Sequence, residues 1–107
     1  MLVLITGATS GIGKSCAELF SKKGYKLIII GRRKDRLLNL AKKFGSRKTL
    51  PIHLDIRNKD DVFNTVSDLP ESFKNIDVLI NNAGLAWGFE PAHKVDIKKW
   101  ETMIDTN

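Results

Sequence analysis

The residues best suited to chemistry lie in one short stretch, Thr6-Gly7-Ala8-Thr9-Ser10-Gly11-Ile12-Gly13, which follows directly on the apolar run Leu2-Val3-Leu4-Ile5. That order reads as buried strand, glycine-rich turn, helix. Glycine tolerates a left-handed backbone and carries no Cβ, so a turn built on it can reverse sharply and let a bulky anion approach the main chain. The free N–H groups and positive dipole end of the helix that follows favour a phosphate. Gly13-Lys14-Ser15 resembles the end of a P-loop, whose Lys and Ser/Thr hold phosphate and magnesium. That motif, G-x-x-x-x-G-K-[ST], needs its first glycine at position 8, where this chain has Ala8. The mismatch disfavours a P-loop, and the turn is read as a nucleotide cradle that the segments further along the chain narrow to a dinucleotide.

Which dinucleotide follows from charge. Units selective for NAD carry an acidic residue about 20 positions beyond the glycines, bonded to the ribose 2′-hydroxyl. This chain has Gly31-Arg32-Arg33 in that region and no acid. A carboxylate repels a 2′-phosphate, whereas a guanidinium pairs with it through two hydrogen bonds. NADP is the expected cofactor, with Arg32 and Arg33 at its 2′-phosphate.

These segments need a scaffold, and the hydrophobic pattern supplies one. Leu27-Ile28-Ile29-Ile30 is a second apolar run, about Thr49 to Leu54 is a third, and Asp77-Val78-Leu79-Ile80 is a fourth. Short unbroken runs rich in branched residues are what strands buried on both faces of a parallel sheet require. Pro51 puts the third at the sheet's edge or at a strand's start. Between them lie three helical stripes: Ile12, Cys16, Leu19 and Phe20; Leu37, Leu38, Ala41 and Phe44; and Val62, Phe63, Val66 and Leu69, the last capped by Asn58. Residues 85–94 read as a loop, followed by a helix with Ile97, Trp100, Ile104 and Asn107 on one face. Alternating strands and helices imply a doubly wound α/β fold of the Rossmann type, with right-handed crossovers and ligands at the carboxyl ends of the strands. The glycine turn, Gly31-Arg32-Arg33, Asp55 and Asn81-Asn82-Ala83-Gly84 all fall at those ends.

The spacing T-G-x-x-x-G-x-G, together with Asn81-Asn82-Ala83-Gly84 after the fourth strand, resembles the short-chain dehydrogenase/reductase family. The resemblance runs along the whole chain. It implies that Gly7, Ala8, Thr9, Ser10, Gly11 and Ile12 hold the cofactor, that Leu54 and Asp55 meet the adenine, and that Asn81 contacts the ribose region while Ala83 and Gly84 let the cofactor pass. It also implies that Asn107 is catalytic, supporting a water-linked proton relay. The segments 82–94 and 100–107 resemble a subgroup of NADP-dependent 3-hydroxy acid dehydrogenases, which implies hydride transfer to or from a small 3-hydroxy acid such as serine, allo-threonine or 3-hydroxypropionate, and a cytoplasmic homotetramer. The family's chemistry uses a Ser, a Tyr and a Lys four residues after that Tyr. The one tyrosine here, Tyr25, is followed four positions on by Ile29, so the proton-transfer step is expected downstream, in a longer protein of which residues 1–107 form the N-terminal part of a single NADP-binding domain. A non-catalytic module that only binds or senses the dinucleotide is the alternative.

Bulk properties narrow the remaining classes. With 42% apolar and 28% charged residues among 107, the chain suits one globular domain. No apolar run approaches the roughly 20 residues of a membrane helix, and Met1 leads straight into a strand, so neither a span nor a signal peptide is expected. Cys16 alone makes no disulfide framework, suits a reducing cytosol and is expected in the core. The net charge of +6 is spread over helix ends and polar faces, without a nucleic-acid-binding motif. His53 and His93 lack partners at metal-ligand spacing, so no metal is expected.

Overall fold

The computed structural model describes residues 1–9 and 11–81, and the backbone of 89–91. Four strands, β1 (Leu2–Thr6), β2 (Lys26–Gly31), β3 (Thr49–His53) and β4 (Val78–Asn81), pair in parallel, and β5 (Phe89–Pro91) adds an antiparallel strand, in the order β3-β2-β1-β4-β5. The helices α1 (Gly11–Lys22), α2 (Lys34–Phe44) and α3 (Lys59–Ser67) connect the parallel strands. The chain winds outward from β1 through β2 to β3, then returns across the sheet to β4 on the other side of β1. The order therefore reverses between β1 and β4, which is the switch point where doubly wound folds place their ligands.

Every residue of β1 is buried, because the strand has a helical layer on each face. Val3, Ile5, Leu27, Ile29 and Ile80 point to the side covered by α1 and α2, where they pack with Ala17, Leu37, Leu40 and Ala41. Leu2, Leu4, Ile28, Ile30 and Leu79 point to the other side, against Val62 of α3 and the Leu69, Phe73 and Ile76 that follow it. β3 is an edge strand, and Pro51 within it is paired with Ile29 of β2. At the opposite end of the strands from the glycine turn, the Asp77 carboxylate accepts from the Leu2 N–H at 2.8 Å while the Asp77 N–H donates to the Leu2 carbonyl at 2.9 Å, which fixes where β1 and β4 begin.

Three of the expected helical stripes are corrected. Ile12 and Leu19 on α1, Leu38 on α2 and Phe63 on α3 are exposed, and Leu40, not expected, is buried. Successive helical residues lie about 100° apart, so Leu38 beside Leu37 and Phe63 beside Val62 turn away from the sheet. On α1 the contact runs through Gly13 and Ala17, with Cys16 and Phe20 partly buried beside them, and Ile12 and Leu19 fall off its flank. The segment expected as a loop over 85–94 contains β5, whose backbone pairs with the outer edge of β4, Ile80 opposite Phe89 and Val78 opposite Pro91. Without β5 that edge would present open hydrogen-bonding groups.

Candidate functional site

The carboxyl ends of β1, β2, β3 and β4 lie side by side, and short tethers bind them together. Gly7 and Gly11 adopt φ of 63° and 58°, left-handed values that an L side chain resists, and this is how the chain leaves β1 and enters α1 within four residues. Between them Ala8 is fully buried, and its N–H donates to the Ile30 carbonyl at 3.1 Å, anchoring the turn on β2. No acidic residue occupies the first turn of α1, so nothing there opposes an anion at its amino end. Ile12 is 63% exposed at the same place.

Gly31 closes β2 beneath this turn. A Cβ built there would meet Thr9 Cγ2 at 3.0 Å, so the turn rests on the bare backbone of β2. Arg32 and Arg33 follow, both exposed, and neither forms an ion pair among the described residues. Arg33 is the residue before α2, with extended backbone. The Arg32 carbonyl receives the ring N–H of His53 at 3.0 Å, and the Gly31 carbonyl receives the Leu54 N–H at 3.1 Å, which draws the end of β3 against the end of β2.

Leu54 is buried and Asp55 half-buried at the end of β3. Asp55 Oδ1 accepts from the Arg57 N–H and from Arg57 Nε, both at 3.0 Å, while Oδ2 accepts from Nε at 3.2 Å and from Nη2 at 2.7 Å. The carboxylate is held far below its usual range, chiefly by the Arg57 side-chain hydrogen bonds and then by the Arg57 N–H, which outweigh the opposing effect of burial, while the charges of Arg57 and Arg32 lower it by less. Three N–H groups of Arg57 thus cover both oxygens of the Asp55 carboxylate.

Asn81 ends β4 with 4% exposure and Thr6 ends β1 with 1%. The Thr6 hydroxyl donates to Asn81 Oδ1 at 2.8 Å, a buried bond across the switch point. The structure thus brings together Gly7, Ala8, Thr9, Gly11, Ile12, Arg32, Arg33, Leu54, Asp55 and Asn81. Ser10, Ala83, Gly84, Asn107 and His93 lie outside the described residues. Arg57 was not anticipated from the sequence, and neither were the contacts made by Thr6 and Gly31, although both belong to segments singled out there. The Thr6 contact could have been found from a polar residue that shares Asn81's strand position and face. Gly31 reveals its role only through the Thr9 contact, and Arg57 through its distance of two residues from Asp55, the spacing of a carboxylate that bonds its own backbone.

Tyr25 lies at the other end of β2, stacked on Phe20 with centroids 5.7 Å apart, roughly 15–20 Å from the site by the rise of a strand. It takes no part there. No group of three or more metal-ligating side chains occurs among the described residues, and no described helix is long and apolar enough to cross a membrane.

Comparison with known proteins places this geometry. The family model for short chain dehydrogenase matches residues 1–107. The NADP-dependent 3-hydroxy acid dehydrogenase YdfG of Salmonella typhi is 49% identical over 107 residues, covering all of this chain and 43% of that protein. The crystal structure of serine dehydrogenase from Escherichia coli superposes with a TM-score of 0.76 at 46% identity, covering 98% of this chain and 48% of that one. A closed form of serine dehydrogenase complexed with NADP+ gives the same TM-score and identity over 99% of this chain and 42% of that one. The chain spans less than half the length of these relatives. Glycine turn, parallel sheet and strand-ending Asn81 agree with that match, and the chain belongs to the short-chain dehydrogenase family.

Proposed function

We propose that the protein is an NADP-dependent oxidoreductase that moves a hydride between the nicotinamide and a small 3-hydroxy acid or its oxo form, and that residues 1–107 supply the cofactor's binding surface. The observation that carries this reading is the pair Arg32 and Arg33, two exposed guanidinium groups at the end of β2 with no ion-pair partner among the described residues, beside a glycine turn on a helix amino end that carries no acid. The names of the relatives, NADP-dependent 3-hydroxy acid dehydrogenase and serine dehydrogenase complexed with NADP+, support the same cofactor and substrate class.

When bound, the cofactor supplies the hydride acceptor or donor. The residues of this chain bind and orient. The backbone from Gly7 to Ile12, Ser10 included, and the amino end of α1 take the pyrophosphate. Arg32 and Arg33 take the 2′-phosphate as bidentate donors. Leu54 and Asp55 border the adenine. Asn81, fixed by Thr6, holds the end of β4 at the ribose, with Ala83 and Gly84 beside the cofactor's path. Asn107 supports the proton relay that accompanies hydride transfer. A cytoplasmic homotetramer belongs to the same reading.

The test is a titration of NADP and NAD against the whole protein, with reduced-nicotinamide absorbance followed on serine, allo-threonine and 3-hydroxypropionate. NADP is expected to bind at least about tenfold more tightly, a difference of about 1.4 kcal/mol. Tighter binding of NAD removes the role given to Arg32 and Arg33. Tight NADP binding without turnover of any 3-hydroxy acid leaves the protein as a dinucleotide-binding module.

A further inference from the structure

We propose that Arg57 is a specificity-determining residue that acts on cofactor choice without touching the cofactor: by closing the Asp55 carboxylate into a neutral pair beside Arg32, it keeps the neighbouring surface cationic and selects NADP over NAD. This rests on the NADP reading above and names a second determinant for it.

Two tethers make Asp55 and Arg32 neighbours. The Gly31 carbonyl accepts from the Leu54 N–H at 3.1 Å, and the Arg32 carbonyl from the His53 ring at 3.0 Å, so the residues just before Asp55 are bonded to the residues of the double-arginine turn. A bare carboxylate at that position has two effects, both adverse to NADP. It opposes the negative charge of a 2′-phosphate, and it offers an acceptor of the kind that, in NAD-selective units, bonds the ribose 2′-hydroxyl. Arg57 cancels both, since its guanidinium grips the two oxygens from one side and its own N–H takes another acceptor position.

Stability does not account for this arrangement. The Arg57 side chain is 76% exposed and that of Asp55 38%, and pairs so open to water contribute little to folding. Their charges still act on a ligand that docks within a Debye length, about 8–10 Å at ordinary ionic strength.

The experiment compares R57Q, R57K and the double variant D55N/R57Q with the parent in the whole protein, measuring Kd for NADP and for NAD and kcat/KM with each at low and high salt. R57Q is expected to lower the NADP-to-NAD preference about three- to tenfold at low salt, with the effect shrinking at high salt. R57K, which keeps the charge, retains most of the preference, and D55N/R57Q, which removes both charges, restores it. A preference unchanged in R57Q, or a loss of both cofactors in equal measure, overturns the proposal, because a purely structural role for the Asp55 turn moves both alike. A parent protein that shows no preference for NADP overturns the cofactor reading itself, and is distinguished by the first titration.

Discussion

Thr6 and Asn81 show how much depends on single side chains at the ends of strands. Each terminates an otherwise apolar run, each is buried, and the hydroxyl of one donates to the amide oxygen of the other at 2.8 Å. A buried amide oxygen deprived of its donor costs about 1–3 kcal/mol. Thr6→Val, which keeps the shape and removes the hydroxyl, is expected to destabilise the whole protein by that amount in urea titration and to weaken NADP binding, whereas Thr6→Ser restores both. Stability equal to the parent in Thr6→Val would show that Asn81 is held by other partners. At this scale the sequence was legible where chemistry is local. The position of Arg32 and Arg33 after a strand needed only the apolar run before them, and the left-handed Gly7 and Gly11 only a reversal between strand and helix. Thr6 and Arg57 were not legible in the same way, because their importance lies in partners 75 residues and one turn away.

At the scale of elements, the strands were readable as continuous apolar runs because helices cover the sheet on both faces, and the edge position of β3 was announced by Pro51. The helical faces were read less well, for a common geometric reason. Where two large apolar residues are adjacent, as at Leu37-Leu38 and Val62-Phe63, only one can face the sheet, and composition does not say which. On α1 the small residues Gly13 and Ala17 make the contact, a choice that a search for large apolar residues passes over. The same closeness governs the turn above β2. Gly31→Ala puts a methyl 3.0 Å from Thr9 Cγ2, so the turn must lift by a few tenths of an ångström. The expected outcome is weaker binding of NADP and NAD alike, since the proposed pyrophosphate cradle moves and the arginines stay charged. Thr9→Ser removes the methyl concerned, and the double variant Gly31→Ala/Thr9→Ser should recover most of the parent affinity in a fluorescence titration. Failure of that recovery would trace the loss to β2 itself.

For the whole molecule, the order β3-β2-β1-β4 puts one end of every parallel strand at the site and the other end far from it, so binding and folding draw on the same sheet. Ala8 tied to Ile30, Leu54 tied to Gly31 and Thr6 tied to Asn81 are tethers between strands as well as supports of the proposed ligand surface. The family and the doubly wound fold could be read from the chain because the glycine turn follows β1 and Asn81, the first residue of the Asn-Asn-Ala-Gly motif, ends β4, and these two strands flank the switch point. The pairing of β5 along β4 could not, since three residues of extended chain carry no periodic signal. This linkage predicts a thermal response. A ligand that binds only the folded protein stabilises it by an amount set by its concentration over Kd, about 2.7 kcal/mol at one hundred times Kd. Saturating NADP is therefore expected to raise the Tm of the whole protein by several degrees. In the variant Arg32→Ala/Arg33→Ala the Tm without cofactor should stay close to the parent value, because both side chains are exposed and surface changes of this kind lie within about 0.5 kcal/mol. The increment from NADP should shrink in that variant while the increment from NAD does not, a divergence read in one calorimetric series. Equal loss of both increments would mean that the arginines support the sheet's end and not the 2′-phosphate.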